Sequence, residues 1–120
     1  MKRAMVVVVG ALVAGCAPSP DVIRVETRSE SSAIETEDVE ALATGDLRLL
    51  VTTPRDQGGR MDLCVDATSS DTSVVRVLRV KGECRQFVAI GEGAGTATVR
   101  FEARGTARAI RFDVARSGAQ

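Results

Sequence analysis

The stretch Ala97-Thr98-Val99-Arg100-Phe101-Glu102-Ala103-Arg104-Gly105-Thr106-Ala107-Arg108-Ala109-Ile110-Arg111-Phe112-Asp113-Val114 decides the fold. Ala97, Val99, Phe101 and Ala103 alternate with Thr98, Arg100, Glu102 and Arg104. After a turn at Gly105, Ile110, Phe112 and Val114 alternate with Arg111, Asp113 and Ala115. A period of two puts one set on each face of a strand. One face is apolar and the other charged, which is the pattern of an antiparallel hairpin lying on a core and wet on its far side.

Working outward, the same period recurs. Val74 to Val80 is rich in β-branched residues, and Phe87, Val88 and Ile90 follow after Lys81-Gly82. Thr68-Ser69-Ser70-Asp71 is turn chemistry, with short polar side chains that bond their own backbone. Met61, Leu63, Val65 and Ala67 alternate with Asp62, Cys64, Asp66 and Thr68, so Cys64 falls opposite the apolar set, at an expected sheet edge. Gln57-Gly58-Gly59 reads as a turn, and Pro54 is expected to end a strand in which Leu47, Leu49 and Val51 alternate with Arg48, Leu50 and Thr52. Val39, Ala41 and Ala43 alternate with Glu40, Leu42 and Thr44 ahead of a turn at Gly45-Asp46. Ser29 to Asp38 reads as a loop, and Asp21 to Arg28 as a candidate first strand. Val99, Phe101, Ile110, Phe112, Leu47, Leu49 and Val77 are the expected core. No 3.6-residue pattern is sustained, so the chain is expected to be all β, a sandwich or barrel with one modest core.

Ser69-Ser70-Asp71-Thr72-Ser73-Val74-Val75 followed by Gly91-Glu92-Gly93-Ala94-Gly95-Thr96-Ala97-Thr98-Val99 resembles the group-2 bacterial immunoglobulin-like domain of intimin- and invasin-type proteins. Ala43-Thr44-Gly45-Asp46-Leu47, with Leu49, is similar to that family's entry into its second strand. The resemblance implies an immunoglobulin-like β-sandwich of about seven short strands over residues 39–116. It also implies a spacer, adhesion or interaction module rather than a catalyst, a functional reading that rests on analogy. The chain departs from the family in having no Trp before the Ser-Ser-Asp turn, Thr72 in place of proline, and a cysteine pair that is no hallmark.

Lys2 and Arg3 precede Ala4 to Gly15, 12 residues without a charge. As a helix these would span about 18 Å, short of the ~30 Å hydrocarbon core of a bilayer. Residues 1–15 therefore read as a signal peptide, not a spanning helix. Val13-Ala14-Gly15-Cys16 resembles the lipobox of bacterial lipoproteins. That resemblance implies cleavage before Cys16, a diacylglycerol on its sulfur and an acyl group such as palmitate on its amine. Several acyl chains on one cysteine anchor firmly where one is marginal. An ordinary secretory signal cut near Ala14 or Ala17 is the alternative. Ala17 after the cysteine implies sorting to the outer membrane if the host is Gram-negative. Ala17-Pro18-Ser19-Pro20 and the acidic residues to Asp38 read as a linker, apart from the candidate strand.

Removal of residues 1–15 leaves 14 basic and 16 acidic residues, a net charge of −2 that gives no polyanion-binding signature. The distribution is uneven: residues 21–46 carry eight acids and two arginines, residues 47–120 twelve bases and eight acids. With Cys16 assigned to lipid, Cys64 and Cys84 remain as an even pair in an exported chain. That favours a disulfide, with two buried free thiols as the alternative.

The chain has no histidine, so Ser-His-Asp and Cys-His arrangements are impossible. Asp62 and Asp66 share a strand face, more simply a solvated face than a pair of acid–base carboxylates. Asp66, Asp71, Ser69 and Ser70 could supply oxygens to Ca²⁺, but turn capping accounts for them and no EF-hand spacing exists. Gly91 to Gly95 has the wrong spacing for a dinucleotide loop and a strand follows it, so close strand connection is the expected use. Arg100, Arg104, Arg108 and Arg111 along the final hairpin are candidates for binding an anionic surface, weighed against outward charge that blunts sheet edges. Nucleic acid is not expected, because Trp and Tyr are missing and the three Phe lie on apolar faces. No cofactor and no metal are expected.

The expected function is a non-catalytic, lipid-anchored interaction or structural module of the cell envelope. Its expected partners are the membrane, through Cys16, and another envelope protein. The alternative is a periplasmic inhibitor or accessory subunit of an envelope enzyme, with Ser69 to Ser73 or Gly91 to Gly95 as its contact edge.

Overall fold

The computed structural model describes residues 19–28 and 33–116. They form ten strands: β1 Val22–Arg28, β2 Ala33–Glu35, β3 Val39–Ala43, β4 Leu47–Asp56, β5 Gly59–Arg60, β6 Asp66–Ser69, β7 Val75–Arg79, β8 Gln86–Gly91, β9 Gly95–Ala103 and β10 Thr106–Ala115. One sheet has the order β2-β1-β4-β8-β7, with β5 added to β4; the other has the order β3-β10-β9-β6. All pairs are antiparallel except β3 with β10. The two sheets pack face to face as a β-sandwich, as the alternation implies.

The final hairpin forms as its sequence dictates. Val99, Phe101, Ile110 and Phe112 are fully buried, and Ala97, Ala103 and Val114 nearly so. Ala103 pairs Thr106 across a two-residue turn in which Arg104 has φ 48° and Gly105 φ 86°. Positive φ at both central residues matches the twist of the flanking strands.

From the other sheet Ile23, Val25, Leu50, Val75, Phe87 and Ala89 meet this layer. The Phe87 and Phe101 rings lie 5.7 Å apart, tilted by 58°, within the range of favourable aromatic pairs. Val65 and Val74, on the connections into β6 and β7, complete the core.

Three expectations need correction. Leu47 and Leu49 are not core: β4 turns Leu50, Thr52 and Pro54 inward and leaves Leu47 69% exposed. Val77 is only partly buried against the core. β3 turns Leu42 inward and leaves Val39 45% exposed. Pro54 does not end β4. Its carbonyl accepts from Met61 N (2.8 Å) on the side away from β1, so its missing N–H falls outside the β1–β4 ladder.

The segment before Val39 belongs to the sandwich rather than to a linker. β1 pairs β4 over its whole length and contributes Ile23 and Val25, both fully buried, so β1 is part of the sandwich. Part of the expected loop, Ala33 to Glu35, is β2. The uneven charge is used here: Glu40 pairs Arg48 at 3.4 Å across the two sheets, and Asp38 meets Arg108 at 3.5 Å.

Gly91 ends β8 where two chains touch. A Cβ there would lie 2.3 Å from the Ala43 carbonyl oxygen, and Gly91 N and O also bond Asp46 O and Gly45 N. Gly91→Ala should therefore lower stability by about 1–3 kcal/mol through overpacking against backbone. A urea midpoint equal to wild type would refute the close approach.

Candidate functional site

Cys16 lies outside the described residues. Cys64 and Cys84 form a disulfide, with Cα atoms 5.0 Å apart. Cys64 precedes β6 of one sheet and Cys84 precedes β8 of the other, so the bridge ties the sandwich together beside its β6/β7 edges. Val65 N donates to Cys84 O, and Arg79 Nη2 donates to Val65 O at 2.9 Å, which closes the same edge.

The four arginines of the final hairpin do not form one site. Arg100 and Arg111 point outward and are taken up by Glu102 (2.9 Å) and Asp113 (3.1 Å). Arg108 has the inward parity of Ile110 and donates to Thr36 O, beside Asp38. Arg104 sits on the hairpin turn. Alternation on a strand separates Arg108 from Arg111, and the distance along the hairpin separates Arg104 from both.

The acidic candidates resolve into exposed structural contacts. Asp62 meets Arg85 at 2.6 Å and Asp66 meets Arg79 at 3.3 Å, with both carboxylates almost wholly exposed. Asp71 Oδ1 accepts from Ser73 Oγ (2.6 Å) and Ser73 N (3.0 Å). Those hydrogen bonds hold the Asp71 carboxyl below its ordinary pKa. Its carbonyl accepts from Val74 N and Val75 N, so the Ser-Ser-Asp segment is a self-capped turn into β7. Among the described residues no group of three or more acids or cysteines is placed to hold a metal ion.

What the sequence pattern hides lies on the outer face of the larger sheet. Leu47 opposes Ile90, Leu49 opposes Val88, and Val88 in turn opposes Leu78, so five apolar side chains adjoin across β4, β8 and β7. Leu78 is 46% exposed. Folding leaves Leu47 and Leu78 exposed and half-buries Leu49, Val88 and Ile90. Leu47→Ser and Leu78→Ser should each leave stability within about 0.5 kcal/mol of wild type, as measured by urea unfolding; a larger loss would place them in the core.

The same face carries a second feature towards its other end. Arg24, Arg28, Arg55 and Arg60 surround a depression of about 240 Å³ floored by Val51 and Thr53, with Glu26 at its side. Arg24 pairs Glu35 at 3.1 Å, and Arg28 reaches Glu26 at 4.0 Å. Arg55 and Arg60 have no carboxylate within ion-pair distance among the described residues, although they stand directly opposite each other on β4 and β5. No single strand shows this cluster in its sequence, because it is assembled from three.

Among the described residues, no helix is long and apolar enough to cross a membrane. No protein-family model and no curated protein matches the chain. Solved structures do share its fold. Domains 5–6 of the S-layer protein SbsC superpose with a TM-score of 0.62 and 18% identity, over 81% of this chain and 44% of that one. The six-domain structure of the same protein gives a TM-score of 0.65 and 18% identity over 85% of this chain. Domains 4 and 5 give 0.57 and 15% over 73%. The chain spans about 14% to 61% of the length of these structures, so it corresponds to a part of each.

Proposed function

We propose that this chain is an exported, non-catalytic module of the cell envelope, held to the membrane through lipid on Cys16 and docked on another envelope protein. In a Gram-negative host the anchor would lie in the outer membrane. The observation that carries the reading is the outward apolar strip Leu47, Leu49, Leu78, Val88 and Ile90, in which Leu47 and Leu78 stay exposed and the other three half-buried. Apolar side chains gathered on a sheet face mark an interaction surface more often than isolated ones do. The likeness to surface-layer domains and the cysteine pair, which suits an oxidising compartment, support the same address.

Two experiments test the two halves. Intact mass of the membrane-extracted protein should start at Cys16 and carry acyl groups; a mass starting elsewhere without lipid removes the anchor. A photo-crosslinking residue at Leu47 or Leu78 should trap an envelope protein in cells, while one at Ala109, exposed on the opposite sheet, should not. Equal trapping at all three positions would sink the docking face.

A second reading has one observation in its favour. Ser69 to Ser73 and Gly91 to Gly95 lie side by side, with Glu92 N and Gly93 N both bonded to Val74 O. They stand at the end of the sandwich away from Asp21, where an inhibitor's contact edge would be presented. A stoichiometric envelope enzyme losing activity on addition of the protein would establish it.

A further inference from the structure

We propose that the depression formed by Arg24, Arg28, Arg55 and Arg60 binds the phosphate groups of anionic lipids in the membrane that holds Cys16. The inference rests on the lipid-anchor reading for its choice of ligand, but its chemistry is on the surface of the domain. Most arginines outside the depression, including Arg48, Arg76, Arg79, Arg85, Arg100, Arg108 and Arg111, are matched to a carboxylate of the same fold. Arg55 and Arg60 are not, and they are cross-strand partners. Like charges directly opposite on a ladder destabilise it, so this pairing is a cost with no return inside the domain. An anion between the two guanidinium groups removes the repulsion, and planar guanidinium groups match phosphate oxygens bidentately.

Position selects the source of the phosphate. Asp21 N donates to Arg55 O at 2.8 Å, so the chain enters the fold beside the depression. Asp21 is five residues along the chain from Cys16, a span of at most about 18 Å. A lipid on Cys16 therefore keeps this end of the domain within reach of the headgroups. The Arg104 turn belongs to the same end, because Thr106 Oγ1 donates to Pro20 O. The loops at Gly45 and Gly91 lie at the other end. Basic residues close to an anionic bilayer each add to attraction, within a Debye length of its surface.

The test uses the full chain with Cys16→Ser throughout, so that no acyl group holds it to a bilayer. Flotation with vesicles of phosphatidylglycerol and phosphatidylcholine is compared with flotation on phosphatidylcholine alone. Arg55→Gln with Arg60→Gln should weaken partitioning onto the anionic vesicles by roughly tenfold or more at low salt. Partitioning onto neutral vesicles should not change. Arg100→Gln with Arg111→Gln makes the same change in net charge on the opposite sheet and should have a much smaller effect. Equal losses in the two double variants would reduce the effect to general charge, and no loss in the first would remove the site; either result overturns the proposal. Saturation by inorganic phosphate with no preference for anionic vesicles also overturns the membrane assignment. Absence of lipid from the mass of the wild-type protein would remove the anchor and leave the vesicle result to stand or fall by itself.

Discussion

Phe101→Ala should cost about 3–5 kcal/mol, a large part of the 5–15 kcal/mol that holds a domain of this size. Phe101 is fully buried in β9, between Arg108 of β10 and Ala67 of β6 in the ladder. Its ring reaches across the sandwich to Phe87. Truncation removes one of the contacts that join the two sheets and leaves a cavity whose walls are two hydrogen-bonded ladders. Those walls cannot collapse without breaking backbone bonds, so the loss falls in the upper part of the range for large-to-small changes. Phe101→Leu keeps most of the volume and should cost less than half as much. Urea unfolding of the three proteins decides the matter. A loss below about 1 kcal/mol for the alanine variant would mean that the ring is not a core residue.

How far the sequence discloses this structure depends on how one-sided each strand is. The final hairpin is legible because, from Ala97 to Ala103 and from Ile110 to Val114, every inward residue is apolar and nearly every outward one is charged or small. Leu47 to Pro54 defeats the same reading. Its outward set, Leu47, Leu49 and Val51, is more apolar than its inward set of Leu50, Thr52 and Pro54. Thr52 is acceptable inside because its hydroxyl donates to Arg85 O at 2.8 Å, a partner 33 residues away that no local pattern can reveal. The strand that misleads is one that carries apolar residues on its outward face. The arginine depression is hidden for a different reason. Its four members are drawn from β1, β4 and β5, and only the pairing of Val22 with Arg55 and of Arg55 with Arg60 brings them together. Conversely, the hairpin arginines look like one stripe in sequence, and strand alternation takes them apart.

The Cys64–Cys84 bridge should be the largest single contribution of any covalent feature, about 3 kcal/mol for a closed loop of this length in the chain-entropy model. The sequence separation is 20, and the enclosed segment contains β6 and β7, which belong to different sheets. An open chain must bring these edge strands to opposite layers without help; the bridge fixes the start of that crossing next to its end. Cys64→Ser with Cys84→Ser, and wild type under reducing conditions, should therefore lose similar amounts of stability. Both should also show a steeper dependence on urea, because an unfolded chain without the cross-link exposes more surface. Cys64 is exposed and Cys84 half-buried, so serine at these positions leaves no large cavity, and loss of packing contributes little. The slope separates the two explanations. A lower midpoint with an unchanged slope would assign the effect to contacts in the folded state, and an unchanged midpoint would mean that the sandwich holds its β6/β7 edge through Arg79, Val65 and Asp66 without the bridge.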